Sequence, residues 1–154
     1  MLARLQRLAH YWKQIALALV GLFVLIQLVP YGRNHNNPPV VQEPAWDSPQ
    51  TRELARRACF DCHSNESVWP WYSNVAPASW LIQHDVEEGR RKLNFSEWNR
   101  RQEELDEITK VIQKGEMPPI YYVLLHPEAN LSQQEKEALI AGLRTTIRQS
   151  APGR

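Results

Sequence analysis

The chain of 154 residues contains two cysteines, and both stand in one pentapeptide, Cys59-Phe-Asp-Cys62-His63. Two cysteines exclude the disulfide frameworks that staple small secreted scaffolds. They are too few for a four-cysteine zinc site, and no second C-x-x-C or H-x-x-x-H is present to complete a mixed one. A disulfide between them would close a very short, strained loop and stabilise little. A thioredoxin-type dithiol needs its first cysteine at a helix N-terminus, where the dipole favours thiolate. This pair falls towards the end of a helical pattern. What remains is the attachment signature of c-type haem. Two thiols three residues apart on a helix project to one side, about a turn apart, and can reach the two vinyl groups of a porphyrin. The next residue, histidine, then lies under the iron as proximal ligand. The sequence therefore predicts one covalently attached haem c, tethered by Cys59 and Cys62 and ligated by His63.

Composition narrows the remaining choices. Eighteen basic against 17 acidic residues give a net charge of +1, which removes the usual argument for a nucleic-acid partner. Six glycines and no alternating apolar pattern argue against a barrel, a sandwich or a Gly-rich nucleotide loop. The average hides an asymmetry. Residues 1–30 carry Arg4, Arg7 and Lys13 and no acid, which leaves 15 basic against 17 acidic residues beyond them. From Gln14 to Gly32 there are 19 residues without a charge, bracketed by Tyr11, Trp12 and Tyr31. That pattern predicts one transmembrane helix with its basic end in the cytoplasm. A cleaved signal peptide is the rival, but Gln27–Arg33 offers no small-residue cleavage site. The expected organisation is an uncleaved anchor over 1–32, a Pro/Asn-rich linker over 33–47 with a solvated His35, and a haem-binding domain over 48–154.

The exported part reads as helices only. Ser48 and Pro49 form an N-cap and first-turn pair for a helix running to about Cys62, with Leu54, Ala55, Ala58 and both cysteines on one face. A second helix is expected from Pro77 to about Arg91, with Ala78, Ile82, Val86 and Gly89 as its apolar stripe. A third is expected to start at Ser96, carry Trp98, Leu105, Ile108, Val111 and Ile112, and end at Gly115. A fourth opens with the capping box Ser132-Gln-Gln-Glu135 and continues through Leu139, Leu143 and Ile147. The fold class expected is all-α: an N-terminal transmembrane helix plus a small cytochrome c-like domain of about four helices around the haem.

Met117 is the one methionine besides the initiator, in the loop Gly115-Glu-Met-Pro-Pro119. Its thioether is the expected distal ligand, held by the prolines that follow. His84, His126 or an open position are the alternatives. The order of helix, C-x-x-C-H, helices, Met-Pro-Pro loop and last helix resembles a small class I cytochrome c. A longer stretch is more specific. Cys59-Phe-Asp-Cys-His-Ser-Asn-Glu-Ser-Val-Trp-Pro-Trp-Tyr-Ser, Pro77-Ala-Ser-Trp80 and Leu93-Asn-Phe-Ser-Glu-Trp98 resemble the bacterial haem-binding domain family from Ser48 to the C-terminus. The resemblance implies a haem-binding, cytochrome-like protein, often membrane-anchored, with no well-defined enzymatic activity.

Beside it, Trp69, Trp71 and Tyr72 are candidates for the haem pocket wall. Arg90 and Arg91 are candidates for propionate partners, with a solvated helix face as the commoner fate. Asn65, Asn94 and Asn130 begin glycosylation-like triplets, which are read instead as turn and cap residues. The function expected is single-electron transfer by a monohaem c-type cytochrome on the inner membrane of a bacterium. It would be single-pass, with its C-terminal domain periplasmic, serving redox partner proteins at the membrane. A haem sensor or peroxidase-type subunit with an open distal site is the alternative.

Overall fold

The computed structural model describes residues 2–153, with side chains described from Tyr11 to Gly153. Among the described residues every named element is helical. These are α1 (Leu2–Ile26), α2 (Pro49–Ala58), α3 (Phe60–His63), α4 (Ala78–Lys92), α5 (Ile108–Gln113), α6 (Ile120–Leu125) and α7 (Gln133–Gln149). Short 3-10 turns cover Trp71–Asn74 and Pro127–Ala129. The chain divides into two compact units: residues 1–35 with 70–83, and residues 36–69 with 84–154.

The first unit corrects the expected transmembrane segment. No helix among the described residues is long and apolar enough to cross a membrane. The uncharged run extends to Gly32, but α1 ends at Ile26. Its apolar part from Ile15 to Ile26 would span about 18 Å at 1.5 Å per residue, against a hydrocarbon core of roughly 30 Å. Gln27 explains the stop. Its side-chain amide pairs with both backbone groups of Ala76, accepting from the N–H at 3.0 Å and donating to the carbonyl at 2.9 Å. Gly32, at φ 84°, then turns the chain where a Cβ would lie 2.1 Å from the Ser79 carbonyl oxygen. The single-pass inner-membrane location expected from that segment falls with it. Of the basic flank, Arg4 and Arg7 lie outside the described side chains. His35 is no solvated tether residue, because its Nε2 meets the Ser73 hydroxyl at 2.9 Å.

The second unit has one core. Leu54, Ala55 and Ala58 of α2, Ile108 and Ile112 of α5, and Leu139, Ile140 and Leu143 of α7 close around Phe60, Phe95 and Trp98. The helix ends follow the sequence grammar. The Ser48 hydroxyl accepts from Thr51 N at 3.2 Å. Ser132 and Glu135 form a complete capping box at the start of α7. Where α2 and α7 cross, a Cβ on Gly142 would sit 2.0 Å from Thr51 Oγ1, so the small residue sets the close approach.

The third expected helix is mostly absent, and only its end survives as α5. Ser96 is not a cap. It is buried in the loop after α4, where its hydroxyl accepts from Asn65 N at 2.9 Å and its carbonyl from Val41 N and Gln42 N. Residues 36–47 are extended and tied to this unit by those bonds, by Trp98 N on Gln42 O at 2.9 Å, and by the Glu43–Arg52 ion pair.

Candidate haem site

The pentapeptide folds as a helix break followed by one turn. Cys59 ends α2 with φ −131° and ψ −33°, and its carbonyl accepts from Cys62 N at 3.2 Å and His63 N at 2.8 Å. Cys59 is therefore the break itself and Cys62 lies in the turn that follows, so the two do not share one uninterrupted helix. Both are free thiols. Burial pushes each thiol up to about 12, and Asp85 and Asp61 add to the shift at Cys62. They stay protonated at neutral pH.

His63 is gripped from one side. Its Nδ1 lies 3.1 Å from the carbonyl oxygens of both Gly89 and Leu93. Nδ1 must carry the proton to donate to a carbonyl, so Nε2 keeps the lone pair a metal requires. Burial holds the imidazole pKa below its ordinary value, against the opposing pull of the Leu93 and Gly89 carbonyls. The ring is thus neutral and in the ligating tautomer. Gly89 makes the grip possible, because a Cβ there would lie 2.3 Å from the Cys62 carbonyl oxygen. The loop after α4 completes the cradle. Phe95 N donates to His63 O at 2.8 Å, and Asn94 Nδ2 donates to Asn65 Oδ1 at 2.9 Å. Asn65 and Asn94 are 3% and 1% exposed, which settles their triplets as buried structural positions.

These residues open onto a solvent-accessible pocket of about 190 Å³. Cys59, Cys62, His63, Leu93, Ile108, Val111, Ile112, Met117, Tyr121 and Tyr122 are among its walls. Met117 follows α5 closely, with its N–H 3.3 Å from the Val111 carbonyl, and shares the cavity with His63. The donor set suits a haem: two thiols, an unprotonated imidazole nitrogen, a thioether and an apolar wall.

Other sequence candidates lie elsewhere. Trp69 is not among the cavity walls, and Trp71 and Tyr72 belong to the first unit. Trp69 Nε1 donates to Asn37 Oδ1 at 3.1 Å, and Trp71 meets Tyr72 edge-on at 5.8 Å. His84 is exposed, and His126 stacks on Tyr122 at 4.3 Å. Arg90 is consumed by bonds to Ser64 O, Asn36 O, Asn37 Oδ1 and Ser67 Oγ. Arg91 pairs with Glu88 and Glu103. Sequence reasoning passed over Tyr121, Tyr122, Asp61 and Asp85. The signal available was the apolar run after Pro118-Pro119, in which two adjacent tyrosines directly follow the Met loop.

The model of the haem-binding domain family matches residues 21–145. The chain belongs to this family. Haem-binding domain is therefore an accurate description of most of its length. An alignment over 96 residues is 26% identical to cytochrome c peroxidase Ccp of Escherichia coli (strain K12) and covers 57% of this chain. It covers 21% of that protein, so the chain spans about a fifth of that relative's length. No solved structure matches the haem-binding domain described here.

Proposed function

We propose that this haem-binding domain is a monohaem c-type cytochrome that passes single electrons between redox partner proteins. The observation that carries the reading is the His63 grip. Two backbone carbonyls fix Nδ1–H, leaving Nε2 to ligate iron in a cavity shared with two free thiols and the Met117 thioether. Cys59 and Cys62 would supply the two thiols for thioether tethers to the haem. His63 is the proximal ligand and Met117 the distal one. A bound haem supplies a one-electron iron couple. The chain's part would be to offer the His63 imidazole and the Met117 thioether to the iron, a pair that would leave no position for substrate and raise the potential through the soft sulfur.

The ferric protein should show the methionine–iron charge-transfer band, and Met117→Ala should abolish it. A ferric spectrum without that band, with rapid carbon monoxide binding after reduction, would overturn the electron-carrier reading. That outcome would favour the second reading, a peroxidase-type or sensing site with an open distal position. The similarity to a protein named cytochrome c peroxidase supports that alternative.

A further inference from the structure

We infer that Tyr122 and Tyr121 are positioning residues for the distal ligand, clasping the Met117 loop to the haem-attachment turn through Asp61 and Asp85. The inference rests on the reading of Met117 as iron ligand. Two observations converge on it. The Tyr122 hydroxyl donates to Asp61 Oδ2 at 2.7 Å, and Asp61 lies between the two cysteines of C-x-x-C-H. The Tyr121 hydroxyl donates to Asp85 Oδ2 at 3.0 Å, on the helix that also supplies Gly89 to His63.

Both phenols belong to α6, which begins directly after Met117-Pro118-Pro119. No residue of α6 is buried, and Ile120, Leu124 and Leu125 are strongly exposed. Apolar packing therefore does little to seat this helix, and the two charge-assisted hydrogen bonds carry more of that task. The other end of the loop is already fixed, since Glu116 N and Met117 N both donate to the Val111 carbonyl, at 2.9 and 3.3 Å. The strap is thus anchored to α5 at its start and clasped to α3 and α4 at its end.

Burial, Asp61 itself and its hydrogen bond push the Tyr122 phenol up, so it remains a donor. Asp61 is fixed independently, because its Oδ1 accepts from Val68 N at 2.9 Å. Breaking the clasp should free the methionine without disturbing Cys59, Cys62 or His63.

The test uses ferric holoprotein and imidazole as a competitor for the distal position, read by loss of the methionine–iron band. Tyr122→Phe should bind imidazole about tenfold more tightly than the unaltered protein, the scale of one charge-assisted hydrogen bond. Tyr121→Phe, at a more exposed site, should show a smaller shift in the same direction. The double variant should exceed either one, and all three should still stain for haem on denaturing gels. A merely structural role would lower the unfolding midpoint and leave imidazole affinity unchanged. If the unaltered protein has the band and neither variant changes imidazole affinity, the clasp is overturned and the Met117 reading survives. If the unaltered protein lacks the band, both fall together. Should Tyr122→Phe not fold, Tyr121→Phe alone decides by the same criterion.

Discussion

At Gly89 a single hydrogen atom decides whether the histidine can be held. A side chain there would meet the Cys62 carbonyl, so α4 could not approach closely enough for its own carbonyl to reach His63 Nδ1. Gly89→Ala should therefore destabilise the domain by about 1–3 kcal/mol, the range for overpacking, and lower haem incorporation. Denaturant unfolding and haem content measure the two effects, and an unchanged haem yield would contradict the role given to this residue. The thiols make a second residue-scale prediction. With each raised from 9.0 to about 12, the folded haem-free protein has roughly a thousandfold less thiolate at pH 8 than an ordinary cysteine. Iodoacetamide should label Cys59 and Cys62 slowly until the chain is unfolded in urea, and equal rates in both states would contradict it. The pentapeptide was legible as a haem motif because its chemistry is local in sequence. The grip on His63 was not, because carbonyls have no sequence signature and Gly89 and Leu93 are separated from it by 26 and 30 residues.

At the scale of elements, α7 carries its own acid sensitivity. Arg57, with the Ser132 backbone and hydroxyl at the cap, pulls Glu135 down to about 2 from an ordinary 4.5. A depressed carboxylate contributes stability that is complete above the unfolded value and lost as pH falls through the folded one. The window is thus pH 4.5 to about 2. Glu135→Gln should flatten the pH dependence of urea unfolding across that window, and an unchanged slope would contradict the assignment. Ser132→Ala should cost about 1 kcal/mol, the usual worth of an N-cap. Caps explain which elements could be read in advance. Ser48 and Ser132 each sit before a helix and use the side chain as expected. Ser96 looks the same in sequence but serves Asn65 N, a residue 31 positions away, and the segment becomes a loop that cradles His63. The uncharged N-terminal run failed for a related reason. Hydropathy counts residues, whereas the helix stops where Gln27 finds the Ala76 backbone.

At the scale of the whole second unit, a limited core and an open pocket belong to one design. The second unit's core and the apolar-lined opening share Ala58, Leu93, Ile108 and Ile112 as a common wall. Filling that opening with a porphyrin would bury further apolar surface on folding, and the tether that keeps the haem on the unfolded chain would not cancel that gain. Haem-free protein should consequently unfold at a lower temperature than holoprotein, and coincident melting curves would contradict the placement. The central claim, covalent haem on Cys59 and Cys62, is tested most directly by intact mass under denaturing conditions. The protein would be made in cells competent to mature c-type cytochromes. The unaltered chain should carry the added mass of one haem that denaturant does not remove, and Cys59→Ala/Cys62→Ala should show the bare polypeptide. A bare polypeptide mass for the unaltered chain would contradict the account.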